Sequence, residues 1–464
     1  MTGNRTRRIL MGLGGQASGR LIVAIYQLAI MPVMIHVWGL NLYGEWLIVT
    51  GVATYLAVSN HGLTAASAMA VIRLASQDDH AGANAVIGTS LAVVLVVTSA
   101  IAAVVSMLLA WSRLPQVLSL AQLPVLDLAA IAIACGVQVA GASARTLPIA
   151  ACDAEGYYGR PQMLSSAFRL VEFGGTVALV LSGFDPVTVA WWMAAIVLAD
   201  WLAQVALARR RASWAQFRLR MPRWTVVRDL ARPSAGHTVI SVAVKALSVQ
   251  GMRLLVSAIL GPAAVGVLSI YTAVTRVTDH LAAMILPVLQ LEFARMPEDS
   301  SASAGPVRMI GASQMASLLV FGVYTLVAAL FGNLAFKLLS AGNVAFDLHL
   351  FLLFSLAVLA VQFGRSNLTY LMGRNLVGSV AAAMLGGWLL ALAVAAITLG
   401  TLGIAGAAIS LMVGEAWASL AATALVARHF RLSPARYAVS LLSIRPLTAL
   451  LGRSRSPVEK ATAA

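Results

Sequence analysis

Runs of about 20 apolar residues, the length at which a helix crosses a hydrocarbon layer, recur from one end of this 464-residue chain to the other. Backbone groups in lipid must be satisfied within their own segment, and helices do this segment by segment. The polar/apolar alternation that a membrane barrel requires is absent. With 60% hydrophobic and 11% charged residues, the chain has too few polar groups to cover a soluble surface of this size. The sequence therefore predicts an all-α integral membrane protein, with about twelve transmembrane helices in two pseudo-symmetric six-helix halves.

The predicted spans are residues 11–37, 43–72, 84–110, 124–150, 162–183 and 187–208, then 234–260, 266–294, 308–334, 346–372, 376–399 and 403–427. The basic start, MTGNRTRR, reads as the lead-in to a first span rather than as a cleaved signal. A net charge of +15 would point to nucleic acid in a soluble chain. Here the distribution of charge explains it. Loops on the N-terminal side carry twenty-three Lys and Arg, eight of them between Arg209 and Arg232; the opposite loops carry only Arg113 and Lys337. That asymmetry predicts that both termini and the central loop are cytoplasmic, and assigns the arginine run to orientation and to contact with anionic lipid. The expected domains are residues 1–208 and 233–427 as the two halves, 209–232 as a basic linker and 428–464 as a basic tail. Cys135 and Cys152 have no spaced Cys/His partners, so neither a disulfide framework nor a metal site is expected, and no cofactor.

An internal repeat supports the halves. Trp38-Gly39-Leu40-Asn41-Leu42-Tyr43-Gly44 follows span one, and Leu260-Gly261-Pro262-Ala263-Ala264-Val265-Gly266 follows span seven. Both have the form Trp/Leu-Gly-x4-Gly at an offset of 222 residues, half the chain. Two halves in the same orientation are a plan found among secondary transporters.

Seven cations fall inside the spans: Arg20, Arg145, Arg169, Lys245, Arg253, Arg276 and Arg365. Each costs at least about 2.5–3.5 kcal/mol facing lipid at a helix centre, so they are expected to face protein or water; Arg145 and Arg365, near span ends, could snorkel instead. Helical spacing sets them on polar stripes, such as Ser165, Arg169, Glu172 and Thr176 in span five and Thr272, Arg276 and Asp279 in span eight. In span seven a period of 3.6 places Ser248 with Lys245, and Gln250 with Arg253 on another face. Local i, i+3 pairing of Arg169 with Glu172, and of Arg276 with Asp279, competes with a binding role. The mid-span acids Glu172, Asp200, Asp279 and Glu415 are still outnumbered, which predicts a cationic cavity suited to an anion such as phosphate. The same acids, with His61 and His280, are candidates for coupling to a proton or sodium gradient; structural hydrogen bonding is the competing role of each histidine.

The turn Gly39-Leu40-Asn41-Leu42-Tyr43-Gly44-Glu45-Trp46, followed by Ser59-Asn60-His61-Gly62-Leu63, resembles the polysaccharide-exporter family of the multidrug/oligosaccharidyl-lipid/polysaccharide exporter superfamily. That family's pattern is a Gly-x3-Tyr-Gly-x-Trp turn, then an acidic residue before Gly-Leu; this chain departs from it with Asn60-His61. The resemblance implies a flippase, not an enzyme, in the bacterial cytoplasmic membrane. It would move an undecaprenyl-diphosphate-linked oligosaccharide from the inner to the outer leaflet by alternating access, for exopolysaccharide or O-antigen synthesis. Implied partners are membrane lipids and the polymerase and export components, with no nucleic acid. Three rivals compete. An antiporter of cationic drugs would want an acidic cavity. A membrane enzyme of polysaccharide assembly would want chemistry in large external loops, which are absent from the sequence. A scaffold would leave the buried arginines without a purpose.

Overall fold

The computed structural model describes residues 2–111, 113–157, 159–219, 221–279, 304–374 and 376–433, with 286, 289, 290, 293, 437 and 441. Within these, the side chains of residues 2–28, 52–59, 61, 159, 231–237, 240, 241, 243–245, 304, 305, 377 and 379 are not described. Arg20, His61 and Lys245 are thus placed by backbone alone, and His280 lies outside the described residues.

The chain is helical almost throughout, as the apolar runs predict. In the first half, α1 (Thr2–Ser76) is broken at Gly39 into two limbs, and α2 (His80–Trp111) follows. A short α3 (Leu114–Val117) precedes α4 (Val125–Ala144) and α5 (Thr146–Ala154), then α6 (Gly159–Leu181) and α7 (Pro186–Arg211). The second half opens with α8 (Trp224–Ser241), continues as a π-helix over Val242–Gly251, and resumes in α9 (Met252–Leu260) and α10 (Pro262–Thr275). After the undescribed stretch come α11 (Ala304–Leu330), α12 (Gly332–Leu339), α13 (Leu348–Gly373), α14 (Val377–Leu402) and α15 (Ile404–His429). Among the described residues eight helices are long and apolar enough to cross a membrane, with Val125–Ala154 counted as one. The two limbs of α1, the composite helix through the π segment, and α10 complete the twelve-helix plan.

The repeat is visible in the backbone. Gly39 (φ 77°, ψ 169°) and Gly261 (φ 87°, ψ 170°) share one conformation that is open essentially to glycine alone. The two turns meet reciprocally. A Cβ at Gly44 would lie 2.0 Å from the Pro262 carbonyl oxygen, and a Cβ at Gly266 would lie 2.6 Å from Leu40 Cδ1. Residues 40 and 262, and 44 and 266, are equivalent by the repeat, so this is a self-complementary contact of the kind seen at a two-fold interface. Indoles repeat as well. Trp192 on α7 donates to the Glu172 carbonyl on α6 and covers Gly175, while Trp417 on α15 donates to the Ala383 carbonyl on α14 and covers Gly387.

Glu45 sits within the first turn, 1% exposed, and accepts three backbone N–H groups: Ala121 and Gln122 at 2.8 Å and Leu123 at 3.0 Å. It thereby anchors the loop before α4. Ser257 of α9 reaches the same loop, donating to the Leu118 carbonyl at 2.6 Å. Asp185 and Asp347 cap α7 and α13 by accepting from the N–H groups two and three residues on. The Asp185 carboxyl is held below the ordinary carboxylate range, chiefly by the Thr188 hydroxyl that donates to it and then by backbone N–H groups.

At the other end of the bundle the basic linker is ordered. Asn84 takes it by two bonds, donating to the Trp214 carbonyl at 2.8 Å and accepting from Gln216 N–H at 2.7 Å. His80 stacks on the Trp214 ring at 4.9 Å, and the Trp214 indole donates to Glu155. Arg211 lies over the Tyr157 ring at 4.9 Å. Arg223 N–H is 3.5 Å from Thr89 Oγ1. Beyond the extended segment α8 begins at Trp224, ten residues ahead of the predicted span, because Leu230 finds a buried place with Ala70, Val71 and Ala212.

Candidate functional site

A cavity of about 660 Å³ lies where the halves face each other. Its walls come from both limbs of α1, from α4 and α7, and from the π-helix, α9, α10 and α15. The Tyr43 and Trp46 side chains of the first repeat turn line its turn-side end, and Trp38 packs edge-on against Trp46 at 5.4 Å. Neutral polar groups, Thr50, Gln138, Ser248, Gln250, Ser269 and Thr272, are interleaved with apolar ones such as Met31, Met34 and Leu411. The charged lining residues are Arg253, Arg276 and Asp279.

Ser248, Gln250 and Arg253 all line this one cavity, where an α-helical period separates them onto two faces. The π-helix is the reason. Its i→i+5 bonding widens the turn, so Ser248 and Arg253, five residues apart, come onto one side. Gly51, on the facing limb of α1, leaves room for the Gln250 amide: a Cβ there would lie 2.4 Å from Gln250 Oε1. Gln250 Oε1 in turn accepts from Arg253 Nη1 at 3.5 Å. Arg253 has no carboxylate partner among the described residues.

Three other span cations, Arg145, Arg276 and Arg365, are ion-paired with acids, though not with their neighbours in sequence. Arg276 Nη2 donates to Glu415 Oε1 of α15 at 2.8 Å, and Arg365 Nη2 of α13 donates to Asp279 Oδ1 at 2.5 Å. The local pairing of Arg276 with Asp279 that competes with a binding role is thus replaced by two pairs between elements. Each of the two groups is met instead by an opposite charge arriving from another helix, Glu415 from α15 and Arg365 from α13. Gln362 Nε2 adds a contact to Asp279 at 3.4 Å. In the first half Arg145 is ion-paired with Asp200, whose other oxygen accepts from Gln204 at 3.3 Å and lies 3.4 Å from Ser165 Oγ. Arg169 and Glu172 are electrostatic neighbours of that pair and form no ion pair with each other among the described residues. Among the described side chains each half thus holds one cluster of two arginines and two acids, and only the second-half cluster reaches the cavity, through Arg276 and Asp279. The predicted surplus is correspondingly narrower: Arg253 carries it among the described side chains. Neither the Glu45 anchor nor the π-helix leaves a signal in hydrophobic periodicity, although Glu45 does fall inside the quoted turn motif.

No protein-family model matches the chain, and no curated protein does. Solved structures do. The chain is similar to an inward-facing multidrug-resistance MATE transporter of the MOP superfamily, with a TM-score of 0.60 at 14% identity over 89% of this chain and 98% of that one. A eukaryotic MATE transporter, AtDTX14, gives 0.58 at 14% identity, covering 94% and 98%. An outward-facing MATE transporter gives 0.53 at 16%, covering 91% and 95%. The class is then defined by its architecture: two six-helix halves around a central cavity. Within it, this chain has the fold of the MATE transporters.

Proposed function

We propose that the chain is a flippase that moves an undecaprenyl-diphosphate-linked oligosaccharide from the inner to the outer leaflet of the bacterial cytoplasmic membrane, for exopolysaccharide or O-antigen synthesis. The observation that carries this reading is Arg253: a cation with no carboxylate partner among the described residues, lining a cavity between the halves. Arginine offers a planar fork to phosphate oxygens, and a site shielded from bulk water strengthens that attraction. Arg276 adds a second guanidinium, and the amides and hydroxyls of Gln138, Ser248, Gln250 and Thr272 suit a glycan. Among the described residues the one acid lining the cavity, Asp279, is occupied by Arg365, which disfavours the export of cationic drugs.

In this reading Arg20 and Lys245 join the anion-binding set, whereas Arg145, Arg169 and Arg365 act on the charge balance around it. Both termini and the linker are cytoplasmic, residues 1–208 and 233–427 rock about the cavity, and the 428–464 tail contacts lipid or assembly partners. Glu172, whose side-chain carboxyl has no hydrogen-bonding partner among the described residues, is the first candidate for coupling to protons or sodium. Reconstitution into liposomes with a fluorescent polyprenyl-diphosphate oligosaccharide tests the reading. Arg253→Ala should slow flipping by tenfold or more, about the effect of losing one charge-assisted contact. Flipping at the parental rate in a folded Arg253→Ala variant would refute the role of the cationic cavity.

A further inference from the structure

We propose that Glu415 limits how tightly the cavity holds an anion, by serving as the resident counter-ion of Arg276; this rests on the anionic-substrate reading above. Arg276 lines the cavity with its side chain 28% exposed, and Glu415, 13% exposed, stands behind it outside the lining. One contact joins them, Nη2 to Oε1 at 2.8 Å, and the guanidinium makes no other hydrogen bond among the described residues. Arginine has five N–H donors, so most of the fork remains turned to a ligand. Geometry is thus left free while charge is cancelled. Asp279, three residues along the chain, acts on Arg276 less than Glu415 does, and Arg365 holds it at 2.5 Å. The first-half group of Arg145, Arg169, Glu172 and Asp200 does not line the cavity. Glu415 is therefore the acid whose charge sets the difference between one and two uncompensated guanidiniums facing the ligand.

A carrier must release what it binds, and a site strong enough to load must stay weak enough to empty. Two bare arginines in a site screened from water would hold a diphosphate with slow release. Arg276 backed by Glu415, beside Arg253 alone, gives capture with exit.

The test uses the purified full chain in detergent, with labelled farnesyl diphosphate in equilibrium dialysis and inorganic diphosphate in a parallel arm. Glu415→Gln should tighten binding of farnesyl diphosphate by about fivefold, the worth of one partly exposed ion pair. In flipping assays the same variant should turn over more slowly at saturating substrate. In an Arg276→Ala background, Glu415→Gln should bring no tightening, a coupling that a general structural role would not produce. Equal gains in both arms identify a bare anion seat, and gains confined to farnesyl diphosphate identify a lipid headgroup seat; each supports the role of Glu415. Should Glu415→Gln fold poorly, Glu415→Met carries the same expectation. If Arg253→Ala and Arg276→Ala weaken binding while both neutral variants at 415 leave it unchanged or weaker, the counter-ion role is overturned and the anionic reading survives. If neither arginine variant weakens binding, both fail together.

Discussion

Gly44→Ala tests whether the two repeat turns close one end of the cavity. The added methyl carbon would lie 2.0 Å from the Pro262 carbonyl oxygen and 3.2 Å from its Cα, whereas ordinary contact begins at 3.4 Å. The obstacle is backbone, in a residue whose ring fixes φ, so no side chain can swing aside. The turns must part by about 1.4 Å, and overpacking of this kind costs about 1–3 kcal/mol. That cost falls on the arrangement with the turns together and spares one with the turns apart. A population shift of about five- to 150-fold follows. Val249, 39% exposed on the cavity wall, provides the reporter. In a Cys135→Ser, Cys152→Ser background, Val249→Cys would be labelled by an impermeant maleimide supplied from the turn side. Gly44→Ala should speed labelling by about fivefold or more. Gly266→Ala should do less, because its new carbon meets the end of the Leu40 side chain, at 2.6 Å, which can rotate. A folded Gly44→Ala protein with unchanged labelling, or a larger effect at Gly266, would refute the reasoning.

Two further outcomes are expected. Glu45→Gln replaces one acceptor oxygen of a buried carboxylate by an NH2 group facing backbone N–H donors, so the detergent-solubilised chain should lose about 1–3 kcal/mol of stability. An unaltered thermal midpoint would remove the anchoring role. Gly51→Ala pushes the flexible Gln250 amide from its seat and takes from Arg253 its Oε1 contact at 3.5 Å. Affinity for farnesyl diphosphate should fall about two- to tenfold while the thermal midpoint holds, an effect the size of one modest hydrogen bond; equal affinity would show that Arg253 needs no positioning.

Much of this architecture is legible in the chain because membranes leave few options. Apolar length reports the helices, and the shared glycine pattern at 39 and 261 reports the repeat, since only glycine adopts that backbone conformation. The pairing of charges is another matter. Sequence spacing puts Arg276 and Asp279 on one face, yet their partners Glu415 and Arg365 lie 139 and 86 residues away and are chosen by how helices pack. The cavity face of the composite helix is hidden for a local reason: a ten-residue π segment changes the period from 3.6, so Arg253 turns up beside Ser248. The arginine-rich loop misleads differently. Its charge predicts orientation, while its attachment to the helices depends on Asn84, Trp214 and Glu155, which composition does not distinguish from any other polar residues.

The pinned linker separates two seams that a chain diagram would draw as one. By covalent order the second half starts after the basic stretch. By attachment, the described residues of the segment from Ala212 to Arg223 and the first turns of α8 as far as Leu230 are fastened to the first half. In the rocking proposed above, those residues would travel with the first half. In the rocking motion proposed above, bending would fall beyond Leu230, where the chain supplies Pro233 and Gly236. On that reading the flexure would lie within a helix, and the basic loop would act as a splint.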